Sequence, residues 1–461
     1  MSKVDVLIRG GQVVIEDSVL RADIAVSGGK IVGIHAAGSA PDAERVIDAS
    51  GKVVLPGVID THTHHREPGF EAKEDITTAT AAGAVGGVTV SLGMPNVTPP
   101  PTTVERYRGV MAHYPQKAHV DYNMNASPTN LPEVQGLADE GILAFKIFMV
   151  EDTGRDYPHM PGTGVHNPGK LYEIMKKVAQ TGRPLMVHPH NQELMDAIEQ
   201  EYWARGEHDP QAYAKAYSAY NGIIWDTAVY TLLRLQEATG VHLHILHVST
   251  RRVMKLIREA KERGQAVTCE ANPWVLFLTN EWSVVEKLGP YSLSYYTPPE
   301  DASEVWNALR DGTIDVIATD HAPHTREEKE IGWTDMWKSH SGTPHIQFYL
   351  SLLLDAVNAG KLTLPDVARL TARKPAEIFG IYPKKGAITV GADADLVVVD
   401  MEKTHTITNG EVLSRCGWTP YDGRSVKGVP QLTMLRGRVI AENGKVVGKP
   451  GDGELLVPVK P

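Results

Sequence analysis

Two histidines separated by a single residue follow an apolar run near the start of the chain. Residues 53–59 lead directly into Asp60-Thr61-His62-Thr63-His64. Side chains two residues apart on a strand point to the same side, so we expect His62 and His64 to face together. Two imidazoles placed in this way can bind one metal ion. An isolated pair is more often two ordinary polar histidines, so the prediction depends on the other strand ends.

Reactive side chains also accompany four later apolar runs. They are Lys146 within 144–149, His188 after 184–187, His247 after 242–246 and Asp320 after 315–319. A lysine inside an apolar run is costly to bury unless it is paired or chemically altered. Chance agreement at five strand ends is improbable, so we predict a metal site. His242 and His244 are out of phase with His247, and we expect them to face the helix layer in a structural role.

Eight apolar runs recur through the middle of the chain, and helical patterns such as 171–180, 227–237, 252–262 and 304–309 separate them. This alternation predicts an α/β fold with a parallel (β/α)₈ barrel, whose reactive residues stand where strands end. Pro- and Gly-rich stretches at 153–169 and 321–345 are predicted to be long loops at the rim of the site. The eight runs are 53–59, 87–92, 119–124, 144–149, 184–188, 242–248, 266–270 and 315–319.

Both chain ends carry short alternating runs between glycine turns, which is typical of antiparallel strands. Neither end has many strands alone, so we predict that the two ends together form one small β sandwich. The barrel is then inserted between them. The expected division assigns 1–54 and 385–461 to the sandwich and 55–384 to the barrel.

The bulk composition excludes several classes of protein. The chain has 461 residues and a net charge of −10, which argues against a nucleic-acid partner. We find no apolar stretch long enough to span a membrane and no signal-peptide core at the start. Two cysteines, Cys269 and Cys416, do not make a disulfide framework. These features predict a cytoplasmic protein.

The residues at the strand ends resemble the ligand set of the cyclic amidohydrolases, which include dihydroorotases, hydantoinases, dihydropyrimidinases and allantoinases. The resemblance covers nearly the whole chain, including 391–396, which is similar to the family's return into its small β domain. It implies two divalent metal ions, zinc with manganese or cobalt as alternatives. The ligands it implies are His62, His64 and Asp320 for one ion, His188 and His247 for the other, and a carboxylated Lys146 bridging both.

The same resemblance implies the reaction, which is hydrolysis of the C–N bond in a cyclic amide. A hydroxide bridging the two ions is expected to add to the ring carbonyl. Asp320 is the expected catalytic residue, because it can take the water's proton and pass it to the leaving ring nitrogen. Members of the family are commonly oligomers, so a homodimer or homotetramer acting on a small cyclic amide is expected.

Three further residues bear on the substrate. Arg66, Asn96 and His324 all follow strand ends, and an Arg fork with an amide and an imidazole can bind a carboxylate. Each alone is about as often an ordinary loop residue. The stretch 318–324, with Lys329 beyond it, is similar to a dihydroorotase signature in which the matching Arg, Asn and His hold the substrate carboxylate. Dihydroorotate is therefore the leading candidate.

Other positions depart from the dihydroorotase pattern. His65 replaces an apolar residue, and Trp274 stands where a histidine is usual. Residues 332–338 and 379–383 are more similar to hydantoinases, whereas Glu151 replaces a tyrosine of the D-hydantoinases. Two alternatives stay open. One is a hydantoinase, dihydropyrimidinase or allantoinase acting on a ring without a carboxylate, and the other is a non-catalytic scaffold, although such proteins typically lose metal ligands that this chain keeps.

Overall fold

The computed structural model describes residues 3–150, 162–292 and 295–459. Strands alternate with helices through the middle of the chain and gather at both ends. The strands are β1 (Val4–Ile15), β2 (Ser18–Ser27), β3 (Lys30–Ala36), β4 (Ala43–Asp48), β5 (Val53–Pro56), β6 (Val58–Thr63), β7 (Val88–Gly93), β8 (Asp121–Met124), β9 (Phe145–Phe148), β10 (Leu185–His188), β11 (Leu243–Ile245), β12 (Val267–Ala271), β13 (Val316–Ile317), β14 (Leu396–Thr406), β15 (Ser425–Leu435), β16 (Arg438–Glu442) and β17 (Lys445–Val446).

The helices lie mainly between the barrel strands. They are α1 (Ile76–Val85), α2 (Val104–Met111), α3 (Val134–Asp139), α4 (Pro168–Ala179), α5 (Gln192–Ala204), α6 (Pro210–Tyr217), α7 (Ala219–Thr239, kinked at 220–222), α8 (Arg251–Glu262), α9 (Pro273–Phe277), α10 (Trp282–Leu288), α11 (Pro299–Asp311), α12 (Arg326–Glu330), α13 (Tyr349–Asn358), α14 (Leu364–Ala368) and α15 (Lys374–Ile378). Within the described residues, no helix combines the length and apolar character needed to cross a membrane.

Among the described residues, nine strands from the two chain ends form one sheet. Its order is β17-β16-β15-β14-β5-β1-β2-β3, with β4 also paired to β1. Strand β5 runs parallel to β1 and antiparallel to β14, so it joins the N-terminal strands to the C-terminal ones. Residues from both ends, such as Ile24 and Leu432, share one buried cluster. The predicted β sandwich is confirmed, and the division at 54/55 and 384/385 stays our proposal.

Eight parallel strands, β6 to β13, form the barrel in the described part of the chain. They pair in the orders β6-β7-β8 and β9 through β13. Parallel bridges between Ala126 and Phe145 and between Thr63 and His321 connect these two groups. The (β/α)₈ prediction is confirmed, and helices α4, α7, α8 and α11 match the four helical stretches expected from sequence, α4 ending one residue earlier than expected.

Helix α8 illustrates why these segments are helical. Val253, Met254, Ile257 and Ala260 are buried along one face, at the spacing of an amphipathic helix. At its start the Thr250 hydroxyl accepts a hydrogen bond from Val253 N at 3.1 Å, which satisfies one of the free N–H groups of the first turn. Such a helix stays in place by covering the barrel with its apolar face.

The first predicted strand, 53–59, is two strands in the structure. Strand β5 ends at Pro56 and belongs to the sheet, whereas β6 begins at Val58 and belongs to the barrel. Gly57 lies between them, and a Cβ added there would come within 2.3 Å of Thr89 Oγ1. The chain therefore passes from sheet to barrel through a point where only glycine fits. The predicted 153–169 loop lies partly outside the described residues, and 321–345 contains α12.

Candidate metal centre

The ends of the barrel strands bring three predicted ligands together. His62 lies in β6, His64 follows it, and Asp320 lies three residues after β13. Asp320 Oδ1 is 3.1 Å from His62 Nε2 and 3.2 Å from His64 Nε2. One ligand atom of each residue lies within 4.8 Å of the other two. Two imidazoles and a carboxylate therefore converge on one point, which is an arrangement that binds divalent metals.

His188 and His247 form a second group beside the first. His188 ends β10 and His247 follows β11. His188 Nδ1 and His247 Nε2 are 2.8 Å apart, and their rings are inclined at 71°. The ring centroids of His247 and His62 are 6.1 Å apart, so the two groups are neighbours. The structure thus brings the four predicted ligand histidines to one end of the barrel.

Burial favours the uncharged form of three of these imidazoles, those of His64, His188 and His247. It lowers the pKa of His64 to about 3 and the pKa of His247 to about 4. Burial, together with electrostatic interactions with His247 and Lys146, also holds the pKa of His188 well below its usual range. A metal ion binds the neutral form of histidine, so these rings are ready to act as ligands at neutral pH.

The Asp320 carboxylate stays ionised in this enclosed position. Burial raises its pKa, but the imidazoles of His62 and His64 outweigh burial and hold the pKa well below the usual range. The side chain keeps 17% of its surface exposed, so it can still meet a small molecule. Its backbone has a φ of +48°, a left-handed conformation that non-glycine residues seldom adopt. Charge, access and a strained backbone together are typical of a functional residue.

Two acceptors fix the orientation of the first pair of imidazoles. Glu270 Oε1 accepts from His62 Nδ1 at 2.5 Å, and Asn96 Oδ1 accepts from His64 Nδ1 at 2.7 Å. Each ring then carries its proton on Nδ1 and leaves Nε2 to a metal. The sequence prediction gave Glu270 no role, although an acid inside an apolar strand is a signal of the same kind as Lys146. Asn96 contacts a predicted metal ligand, and its role at the substrate stays a prediction.

Lys146 is fully buried in β9, within electrostatic reach of Asp320, His188 and His247. Its Nζ has no hydrogen-bond partner in the described part of the chain and lies 4.2 Å from the centre of the Phe148 ring. Burial lowers its pKa to about 7, which leaves a free amine able to react with carbon dioxide. An unpartnered amine in this position fits the carboxylated ligand of a two-metal centre.

Arg66 and His324, two of the predicted substrate ligands, are in contact. Arg66 Nη2 lies 3.2 Å from His324 Nε2, while Arg66 Nη1 is buried with no hydrogen-bond partner among the described residues. Lys73 Nζ lies 3.3 Å from His324 Nδ1, and Lys329 is buried nearby. Burial lowers the pKa of Arg66 to about 10 and that of Lys329 to about 7. This buried positive charge favours an anionic ligand.

The orientation predicted for His244 is wrong. His244 pairs in register with Met186, and Met186 pairs with Lys146, so the three side chains share the interior face of the barrel. His244 Nε2 lies 3.6 Å from Glu270 Oε2. His247 also faces the interior of the barrel. Strand β11 ends two residues before it, and its backbone φ of +37° lies outside the range of a strand. The strand alternation on which the prediction relied does not extend to His247.

Known proteins resemble this chain along nearly its whole length. The model of the amidohydrolase family matches residues 53–440. An L-hydantoinase from Paenarthrobacter aurescens is 34% identical over 98% of both chains, and a dihydroorotase from Bacillus licheniformis is 34% identical over 93% of this chain and 96% of that one. A solved L-hydantoinase (dihydropyrimidinase) from Arthrobacter aurescens has a TM-score of 0.92 at 34% identity, covering 98% of this chain and all of that one.

Proposed function

The chain belongs to the amidohydrolase family and is a hydrolase of cyclic amides, and we propose that its substrate ring carries a carboxylate, as dihydroorotate does. The observation that carries this proposal is the buried Arg66 Nη1, which has no hydrogen-bond partner among the described residues. A guanidinium binds a carboxylate through two parallel N–H groups. A substrate carboxylate would supply the missing acceptor.

The surroundings of Arg66 support an anionic substrate. Lys73 pairs with Glu328 at 2.6 Å, and Lys329 Nζ donates to His340 O at 2.6 Å. Both contacts hold these cations in place. Burial and, to a smaller extent, the charge of Arg66 lower the pKa of Lys73. A substrate carboxylate here would relieve the repulsion between the cations. We propose that Arg66 and His324 contact it directly and that Asn96 contributes its amide N–H.

The metal ligands in this proposal are those expected from sequence. His62, His64 and Asp320 would hold one divalent ion, His188 and His247 would hold the other, and a carboxylated Lys146 would be a ligand to both. Zinc suits imidazole and carboxylate ligands, with manganese or cobalt as alternatives. When bound, such a pair of ions lowers the pKa of a water molecule and polarises a carbonyl group.

Asp320 is the proposed proton carrier. Its ionised carboxylate accepts a proton from the attacking water while the water's oxygen bonds to the ring carbonyl carbon. The C–N bond then breaks, and Asp320 returns the proton to the leaving nitrogen. The ring opens into a free N–H group and a carboxylic acid, which becomes a carboxylate by releasing its proton to solvent, and Asp320 ends the cycle ionised as it began. Glu270 and Asn96 contribute by holding the imidazoles of His62 and His64 still.

A hydantoin ring without a carboxylate is the second candidate. It is favoured by the likeness to the L-hydantoinase structure, with its TM-score of 0.92. The chemistry at the metals and Asp320 is the same for both rings. The two proposals differ in whether Arg66 and His324 bind the substrate.

The test is hydrolysis of racemic dihydroorotate, dihydrouracil, hydantoin and allantoin by the zinc-loaded protein at equal concentrations. We expect dihydroorotate to give the highest kcat/KM. A higher value for a ring without a carboxylate would overturn the carboxylate proposal in favour of the hydantoinase one. A protein that retains no zinc after loading and hydrolyses none of the four would instead support the scaffold alternative.

We also propose a cytoplasmic homodimer or homotetramer. The two cysteines, Cys269 and Cys416, are both buried and unpaired, which is consistent with a reducing compartment. Resemblance to an oligomeric family supports the assembly. Light scattering of the purified protein at several concentrations tests it, and a monomer at every concentration would contradict it.

A further inference from the structure

The strained backbone of Asp320 is held in place by the residue before it, Thr319. Thr319 donates to the buried Asp60 carboxylate through its backbone N at 3.0 Å and through its hydroxyl at 2.6 Å. A left-handed conformation in a non-glycine residue persists only when its surroundings hold it there. Asp320 therefore needs a comparable anchor on the side that follows it, and His321 occupies that position.

His321 is held by both its backbone and its ring. Its backbone N donates to His62 O at 3.3 Å, and its carbonyl accepts from His64 N at 2.8 Å, so it lies against the strand that carries two predicted ligands. Its ring Nδ1 accepts from His345 N at 3.1 Å. The ring proton therefore sits on Nε2, which donates to Glu74 Oε2 at 3.1 Å.

Glu74 is fully buried and accepts hydrogen bonds from three parts of the chain. Oε1 accepts from Asp75 N at 3.2 Å and from Arg415 N at 3.1 Å, and also from a nearby threonine hydroxyl. Oε2 accepts from His321 and from the Ser414 hydroxyl. Because every donor points at an accepting oxygen, the site requires a carboxylate.

Ser414 and Arg415 belong to a segment between β14 and β15, residues 411–421, which we call the strap. The strap contacts the loop after β13 at further points. Trp418 Nε1 donates to His324 O at 2.8 Å, and the Tyr421 hydroxyl lies 2.8 Å from His345 Nδ1. The C-terminal part of the chain thus holds the loop that follows Asp320.

We propose that Glu74 is a positioning residue, which acts through His321 to keep Asp320 in its reactive orientation and is itself held by the backbone N–H of Arg415 in the strap. This inference rests on the proposed role of Asp320. Glu74 contacts neither substrate nor metal in it. Among its hydrogen bonds in the described residues, the one to the His321 ring leads to Asp320, which makes the proposal open to a test with two variants and their combination.

Two substitutions break the contact from opposite sides. In Glu74→Gln an NH₂ group replaces one oxygen, and the backbone donors of Asp75 and Arg415 force it to the side of His321, where it faces another N–H. His321→Asn keeps an acceptor for His345 N but cannot reach Glu74. Ser414→Ala is the matched control, because it removes one donor from the same oxygen and leaves the His321 contact intact.

We expect each of the first two variants of the zinc-loaded protein to lower kcat by about 10- to 100-fold, the usual effect of an outer partner. KM should stay within about threefold of the parent value. The kcat of the double variant should equal that of each single variant, because both substitutions remove the same Glu74–His321 contact. Ser414→Ala should stay within about threefold of the parent. Additive losses, or equal losses in Ser414→Ala, would show that Glu74 only stabilises the fold.

A readout independent of catalysis separates this proposal from the proposed function. The cobalt-loaded protein should show an altered visible absorption spectrum and weaker cobalt retention in Glu74→Gln and in His321→Asn, with the parent spectrum in Ser414→Ala. If the parent hydrolyses no cyclic amide but these spectral changes appear, the positioning role stands and the proposed function fails. Unchanged spectra and retention in both variants would overturn the positioning role.

Discussion

Lys146 and Lys385 are both fully buried lysines, and their surroundings are opposite. Lys385 Nζ pairs with Asp121 at 2.6 Å, Asp393 at 2.9 Å and Asp395 at 2.6 Å. Burial opposes its charge, but these three carboxylates outweigh burial and raise its pKa. Lys146 has no carboxylate contact of this kind among the described residues, and burial lowers its pKa to about 7.

The positions of the two lysines explain the difference. Asp121 begins β8, so the Lys385 cluster lies at the end of the barrel where strands start, next to the sheet. The Lys146 amine lies close to His188, which ends β10 at the other end of the barrel. In barrels of this type the first end serves stability and the second carries the chemistry. The buried lysine that is paired with carboxylates connects two parts of the fold, whereas the buried lysine without such a pair is available for modification.

Lys146→Met should produce the largest effect. We expect kcat to fall by more than about 10³-fold and one or both metals to be lost, because the proposed bridging ligand is gone. Metal content by mass spectrometry and the hydrolysis rate check this. The unfolding temperature should not fall in the metal-free protein, since an unpaired buried amine is replaced by an apolar chain. A variant with full metal content and the full hydrolysis rate would show that Lys146 is not a metal ligand.

Lys385→Met should reverse this pattern. It leaves three buried carboxylates without their shared cation, and breaking such a pair costs about 3–5 kcal/mol of stability. We expect a lower unfolding temperature with kcat per folded molecule unchanged. Lys384→Met, at the exposed neighbouring position, is the control. An unfolding temperature equal to that of the control would mean that the cluster does not connect sheet and barrel.

Arg66 lies between these two cases, because its guanidinium is partly paired. Arg66→Ala should raise KM for dihydroorotate by about 10- to 100-fold, the loss expected for a charge-assisted contact. KM for hydantoin should change little. Arg66→Lys keeps the charge but loses the fork, so an intermediate KM is expected. Equal KM changes for both rings would show that Arg66 does not bind the carboxylate.

The smallest expected effect concerns assembly of the proposed two-metal centre around Lys146. The lowered pKa of Lys146, about 7, makes the free amine the minority form at pH 6 and the majority form at pH 8. Zinc-dependent activation of the metal-free protein at a fixed carbon dioxide concentration should be about tenfold faster at pH 8. The rate of recovery of activity measures this. Equal rates at both pH values would argue against carboxylation of a free amine.

The sequence predicts those features that depend on local pattern. The barrel strands and the placement of His62 and His64 follow from short runs and their two-residue period. His244 was misplaced because the period ends before His247. The split at Gly57 and the Lys385 cluster depend on contacts between distant segments, such as Asp121 with Lys385, which no local pattern contains.

The sheet shared by both ends constrains how the chain is made. Lys30 pairs with Asp393 across 363 residues, and β5 pairs with β14, which is synthesised much later. During synthesis the open edge of β5 stays uncovered until the whole barrel has left the ribosome, and open strand edges recruit other chains. A product truncated before β14 would keep every barrel strand and still expose this edge. The strands that complete this sheet are therefore added only after all the predicted metal ligands have been translated.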